Sequence, residues 1–505
     1  MKNEDLIPML FLKAIFMNNI ILFILGFGIF IFTRTSKLVP TIPVAILISF
    51  ILILRFTRTA KYSIPLTLLG FILAINIGLW GLFDLGASMS SLVFNIIRST
   101  LLAILYWLPF MADRLIYPRF NKNGFLSTLI FPIITTAVFY LFTIEGPFEG
   151  GIQPAKFIFG TIEFRQFLSL FGSLGFVFLT SWLASAVNHM WEKKFVWKKT
   201  KKTVCSVIAV VIAVFLFGAV KIYMSPVTDT VKVASIIINP VWGETYLDDV
   251  FHKRITSPFN ITIRNIEGKI KRAKLNNAQI ASFMEFAMII NESDQATLRQ
   301  ELDRIAKEND IYIAFNYGYY ATEGKGENKH ILLDNKGTIL IDYSKKYLLG
   351  MGDMGETAVF KKGPEILQFA DTPYGRITIS ICREMEMEKY MIQAAKNSAD
   401  IMLTSAYEFP EAWLPNNLQM PIINGFSMVR TAYNGVTHSQ DYNGKILNQM
   451  HFEEGDVMCS DIPTKGISTL YAKVGKIVGW ASALGLIVLI VFSIRSKRIT
   501  MEGSS

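Results

Sequence analysis

The sequence predicts two kinds of structure in one chain, an α-helical membrane bundle and an α/β domain. Three observations carry this expectation. Of 505 residues, 51% are apolar and 18% charged, and mean hydropathy is +0.38, too apolar for an ordinary soluble protein and too charged to lie wholly in lipid. The long apolar runs concentrate in the first 225 residues and in one closing run. Between them, about 226–472 is mixed in polarity, with short β-branched runs and amphipathic segments.

A hydrocarbon core of about 30 Å takes roughly 20 apolar helical residues. Seven such runs precede the polar region, at about 14–32, 39–55, 63–83, 91–111, 124–144, 166–188 and 203–223, and an eighth lies at about 477–494. Lys2, Glu4 and Asp5 give the N-terminus mixed charge and no small-residue cleavage site follows, so the first run reads as a retained anchor. Basic residues set the orientation. With a cytoplasmic N-terminus, the inside loops hold Arg55, Arg58 and Lys61, then Arg114, Arg119 and Lys122, then six lysines between Lys193 and Lys202, and the tail adds Arg495, Lys497 and Arg498. The expected organisation is a membrane domain at 1–225 with seven transmembrane helices, an extracytoplasmic domain at 226–472, and a final helix with a cytoplasmic tail at 473–505. The runs carry neither a clear internal repeat nor paired intramembrane charges, which speaks against a transporter.

The formal charge of +10 does not point to nucleic acid, because the basic residues cluster at the ends of apolar segments. Cys205, Cys382 and Cys459 are the only cysteines, too few and too scattered for a disulfide framework or a paired Cys-x-x-Cys metal site. The five histidines form no His-Glu-x-x-His run. No metal or cofactor is expected.

In the polar region, strands are expected at 231–239, 278–285, 311–318, 330–334, 338–343, 376–382, 401–405 and 435–440. Helices are expected at 293–309, capped by Ser293 and Asp294, at 384–399 and at 417–431. Asn335-Lys336-Gly337 and Asn443-Gly444 read as hairpin turns. So many strands with so few helices point to two stacked sheets flanked by helices.

Three residues at strand ends draw attention. Cys382 closes the apolar run Arg376–Ile381 and precedes a helix whose free amides favour a thiolate; a buried structural cysteine is the alternative. Lys345, after Leu340–Tyr343, can hold a developing oxyanion, although adjacent Lys345 and Lys346 also suit a solvated edge. Glu285 ends Ala278–Met284, and a carboxylate there is costly to bury without a partner or a role.

Glu, Lys and Cys in that order, each at a strand end of one α/β domain, resemble the carbon–nitrogen hydrolase (nitrilase) superfamily. Tyr343-Ser344-Lys345-Lys346-Tyr347-Leu348 is similar to its Tyr-x-Lys-x-x-Leu element, and Gly375 through Glu384 to its Gly-x(6)-Cys-x-Glu element. The resemblance implies an αββα sandwich in which Glu285 is the general base, Lys345 stabilises the tetrahedral intermediate and Cys382 forms a thioester. Seven helices before the domain and one after it resemble the bacterial apolipoprotein N-acyltransferase family. Thr404-Ser405-Ala406, Trp413, Leu418-Gln419-Met420 and Arg430–Thr437 are similar to that family's run after the nucleophile, and Gln153-Pro154 to its membrane-domain loop.

This sequence departs from the family pattern in several places. Phe283-Met284 stands where Trp-Pro usually precedes the base. The second carboxylate, eight residues after the lysine, is Asp353, with Glu356 nearby as a substitute. Arg383 replaces the aromatic residue that commonly follows the nucleophile, and the stretch between Lys345 and Cys382 is short. The resemblance implies acyl transfer from a phospholipid donor to the N-terminal amine of a diacylglyceryl-cysteine lipoprotein, at the outer face of a bacterial cytoplasmic membrane. Asp353 and Glu384 would play supporting roles, Glu384 alternatively being only a helix cap. A membrane-tethered amidase or other acyltransferase, and a degenerate homologue without activity, are the competing expectations.

Overall fold

The computed structural model describes residues 19–33, 40–79, 89–145, 161–226, 228–239, 246–350, 355–409 and 418–502. Two compact units emerge, 1–221 with 474–505, and 222–473. Asp353, Trp413 and Gln153-Pro154 lie outside the described residues.

The first unit is helical. Among the described residues, five of its helices are long and apolar enough to cross a membrane, at 96–119, 123–144, 168–192, 197–223 and 477–495. At the other three expected positions the described helices are shorter, Asn19–Ile31, Ala45–Thr59 and Ser63–Gly78. Along 197–223 and 477–495 most side chains face outward, among them Ile208, Ile212, Leu216, Leu484, Ile487 and Phe492. An apolar surface of that extent is unfavourable in water. One buried ion pair lies just beyond the spans expected at 39–55 and 91–111. Arg58 and Asp113, from two helices, form a buried bidentate pair, Nε to Oδ2 at 2.8 Å and Nη2 to Oδ1 at 2.9 Å. A guanidinium buried among helices is tolerated only with such a partner.

The second unit is a two-sheet sandwich. Its strands are β1 (Thr230–Ile236), β2 (Ile280–Phe283), β3 (Met288–Asn291), β4 (Tyr312–Tyr320), β5 (Glu327–Leu333), β6 (Ile339–Ser344), β7 (Phe369–Thr372), β8 (Gly375–Ile381), β9 (Ile401–Phe409), β10 (Ser427–Gln440), β11 (Ile446–His451) and β12 (Val457–Pro463). One sheet runs β12-β1-β2-β4-β5-β6, with β3 also paired to β4, and the other runs β11-β10-β9-β8-β7. The sheets face each other, as contacts of Thr431 with Ser282 and of His330 with the Ser380 carbonyl show. Helices Phe259–Leu275 and Gln295–Asn309 cover the first sheet, seating Ile263, Ile266, Ile270, Leu298, Leu302 and Ile305 in its core. Both hairpin turns form as expected, with Gly337 at φ 79° and Gly444 at φ 78°, a conformation natural to glycine.

Several boundaries moved. The expected helix 417–431 is a short helix, Gln419–Asn424, ended by Gly425 at φ 84°, and Ser427 onward belongs to β10. Ser427–Thr431 pair in parallel with Ile401–Ser405, and a strand buried on both faces shows no alternation that separates it from a buried helix. The expected helix 384–399 is a 3-10 turn, Cys382–Glu386, followed by an α-helix from Glu388 to Lys396. Helix Phe259–Leu275 and strands β3, β7, β11 and β12 were not foreseen. Three of those strands pair antiparallel, β7 with β8, β11 with β10 and β12 with β1, where pairing outweighs weak local propensity.

Candidate active site

The structure gathers Glu285, Lys345 and Cys382 at the ends of β2, β6 and β8. Glu285 follows β2, and its backbone N–H donates to the Ala406 carbonyl of β9 at 3.1 Å. Its Oε2 accepts the Tyr407 backbone N–H at 3.1 Å, so this carboxylate ties one sheet to the other. Lys345 follows β6. The Lys345 N–H donates to the Asn328 carbonyl at 2.9 Å, and the Lys345 carbonyl accepts the Gly363 N–H at 2.8 Å. A Cβ on Gly363 would sit 1.9 Å from the Ser344 carbonyl oxygen, so this close backbone approach requires glycine.

The Lys345 ammonium is the hub. Nζ donates to Glu285 Oε1 at 2.7 Å and lies 2.8 Å from both Glu356 carboxylate oxygens. Lys345, Glu285 and Glu356 are 1%, 2% and 1% exposed, and charges so buried persist only when paired and hydrogen-bonded. That requirement is met by two amides. Asn328 Nδ2 donates to Glu285 Oε1 at 2.9 Å and to Glu356 Oε1 at 3.0 Å. Asn328 Oδ1 in turn accepts from Asn316 Nδ2 at 3.0 Å, while Asn316 Oδ1 holds the Phe286 N–H at 2.6 Å. The Leu349 N–H donates to Glu356 Oε2 at 2.7 Å.

Glu356 thus stands beside the lysine, in the role for which Asp353 was named with Glu356 as the substitute. Asn316 and Asn328 were missed by sequence reasoning. Asn328 fell outside the strand expected at 330–334, and nothing local to either residue shows the polar partners that its burial requires.

Cys382 sits at the turn between β8 and the 3-10 helix with φ 50°, the left-handed region that costs a non-glycine residue energy and concentrates at functional turns. Its thiol packs against the cluster of Ala406, Leu418, Ala432 and Val436. Burial pushes the thiol up to about 12, with Glu285 and Glu356 adding to the rise and Lys345 and Arg430 opposing it. A thiol so raised rests protonated and would need a base before it could attack. For Lys345, burial favours the neutral amine, but Glu285, Glu356 and Cys382 outweigh it and hold the ammonium above its ordinary value. Burial raises the Glu356 carboxyl, against the pull of Lys345.

Glu384 does more than cap. Its Oε1 accepts from the Tyr343 hydroxyl at 2.6 Å and from the Lys346 N–H at 2.6 Å, while Oε2 accepts from the Ile381 N–H at 2.8 Å. One fully buried carboxylate therefore binds the lysine-bearing segment to the Cys382 turn. Burial pushes it up to about 7, its hydrogen bonds resisting.

Comparison with known proteins fits this geometry. The carbon-nitrogen hydrolase family model matches residues 256–472. That segment is similar to a carbon-nitrogen hydrolase domain. Deaminated glutathione amidase of Dictyostelium discoideum is 26% identical over 190 residues, covering 33% of this chain and 65% of that protein. The human deaminated glutathione amidase is 26% identical over 116 residues, covering 21% and 35%. The chain thus spans less than two thirds of the length of these relatives. Among solved structures, an amidase of the nitrilase superfamily from Nesterenkonia AN1 aligns with TM-score 0.38 and 17% identity over 48% of this chain and 93% of that one. The C. elegans NitFhit protein aligns with TM-score 0.39 and 16% identity over 47% and 62%.

Proposed function

We propose that the protein is a membrane-anchored N-acyltransferase that works through an acyl thioester on Cys382. The observation that carries the reading is the buried Glu285–Lys345–Glu356 cluster with the Cys382 thiol in its field. Glu285 takes the thiol proton as Sγ attacks the ester carbonyl of a phospholipid acyl chain. As Glu285 becomes protonated its hold on Lys345 weakens, which turns an ammonium N–H toward the growing oxyanion. The carbon–oxygen ester bond then breaks, and the proton on Glu285 passes to the departing lysophospholipid oxygen. In the second half, the N-terminal amine of a diacylglyceryl-cysteine lipoprotein attacks the thioester, Glu285 takes the amine proton and returns it to sulfur, and the acyl chain leaves as an amide.

Acyl transfer between lipid-borne substrates is supported by the apolar helices on either side of the domain in sequence, two of which expose aliphatic faces suited to lipid. Orientation by basic loops would put the catalytic domain outside a bacterial cytoplasmic membrane, where both substrates diffuse. The amidases among the relatives favour a second reading, hydrolysis of a small amide by the same thioester route.

Incubating detergent-solubilised protein with phospholipid labelled in its acyl chain tests the first reading. The expected result is label on Cys382 by mass spectrometry, discharged by a diacylglyceryl-cysteine peptide. Absence of label together with turnover of small amides would overturn acyl transfer in favour of the amidase.

A further inference from the structure

Arg430 lies on β10, where register pairs it with Thr404 of β9, itself paired with Ser380 of β8. It sits two strands from the nucleophile strand, a distance of about 10 Å at the usual spacing that a long arginine side chain can bridge. At 3% exposure it is buried, and Nη2 donates to the Cys382 carbonyl at 3.4 Å. A cation is expensive in such a place without a task. Among the described residues, the titratable groups that act on the guanidinium include Cys382, Glu386 and Glu285, and the buried ring of His438 also feels it. The Cys382 thiol in turn feels Glu285, Lys345, Arg430 and Glu356.

We propose that Arg430 is a positioning residue of the nucleophile, holding the Cys382 carbonyl in the left-handed turn so that the thiol meets Glu285 and Lys345. The inference rests on the reading of Cys382 as the nucleophile. Residue φ values of this kind persist only where surrounding bonds over-determine them, and the guanidinium supplies one such bond to the strained residue itself. Its positive charge also favours the thiolate as the proton departs. Lysine at this position would keep the charge but lose the planar donor fork.

The test is the rate at which iodoacetamide alkylates Cys382 in the full chain in detergent, with Cys205 and Cys459 replaced by serine. Arg430→Gln should slow alkylation about tenfold near neutral pH, the equivalent of one unit in the thiol pKa, and Arg430→Lys should restore part of the rate. Glu386→Gln should speed alkylation, because Glu386 attracts Arg430 and its removal frees the guanidinium from a competing carboxylate, leaving it to the Cys382 carbonyl. Glu386→Gln also decides the matter should Arg430→Gln fail to fold. An alkylation rate unchanged in Arg430→Gln, or in Glu386→Gln, would overturn the role. Failure of the acyl-transfer reading is seen separately, as wild-type protein that alkylates normally at Cys382 yet takes no acyl label.

Discussion

Replacing Lys345 by methionine removes the centre of the buried cluster while keeping an unbranched side chain of similar length. Three charge-assisted contacts disappear, at 2.7 Å to Glu285 and 2.8 Å to each oxygen of Glu356. Two carboxylates then remain at 2% and 1% exposure, sharing only the Asn328 amide between them. Breaking a buried pair by deleting one partner costs about 3–5 kcal/mol, because the other charge is left uncompensated. The loss should depend on pH. Burial already raises the Glu356 carboxyl and Lys345 opposes that rise, so without the lysine it goes higher. A carboxyl whose folded value exceeds its unfolded one contributes stability that is present below the unfolded value and lost as pH climbs through the folded value. The deficit of Lys345→Met should therefore be largest near neutral and alkaline pH and shrink toward about pH 5. Equilibrium unfolding of the full chain in detergent by denaturant, followed by near-ultraviolet circular dichroism at several pH values, measures it. A deficit below about 1 kcal/mol at neutral pH, the range of exposed pairs, or one that does not shrink on acidification, would refute the buried-charge argument.

Other expectations follow from the same geometry. Cys382→Ala should abolish the acyl-enzyme while leaving the fold intact, and persistent turnover in that variant would exclude Cys382 as nucleophile. Glu356→Gln removes one of the two carboxylates that hold the Lys345 ammonium, so turnover should drop by about 10²–10³, typical of a disturbed oxyanion donor; unchanged kcat would sink the role given to Glu356. Glu384, pushed by burial from the ordinary carboxylate range up to about 7, contributes stability that is complete below about 4.5 and lost as pH rises through about 7. Glu384→Gln should flatten the stability profile across that window, and an unaltered slope in thermal unfolding scans would contradict it.

How much of this was legible in the sequence depends on the range of the interaction. The apolar runs announced the helical unit because their signal is local, a count of residues against the thickness of a bilayer. Most strands of the sandwich were legible for the same reason, and so were Glu285, Lys345 and Cys382, each marked by a reactive group closing an apolar strand. What the chain could not announce locally was set by pairing between distant segments. The first residues of β10, Ser427–Thr431, looked helical until β9 paired with them in parallel. Glu356 became the lysine's second partner only once residues 345 and 356 were folded onto each other, and Arg58 found Asp113 across 55 positions. Asn316, Asn328 and Arg430 likewise gain meaning only from what surrounds them. Hydrophobic periodicity is a property of neighbours along the chain and survives in a linear reading. The compensation of a buried charge is a property of neighbours in space, and only the tertiary structure decides which they are.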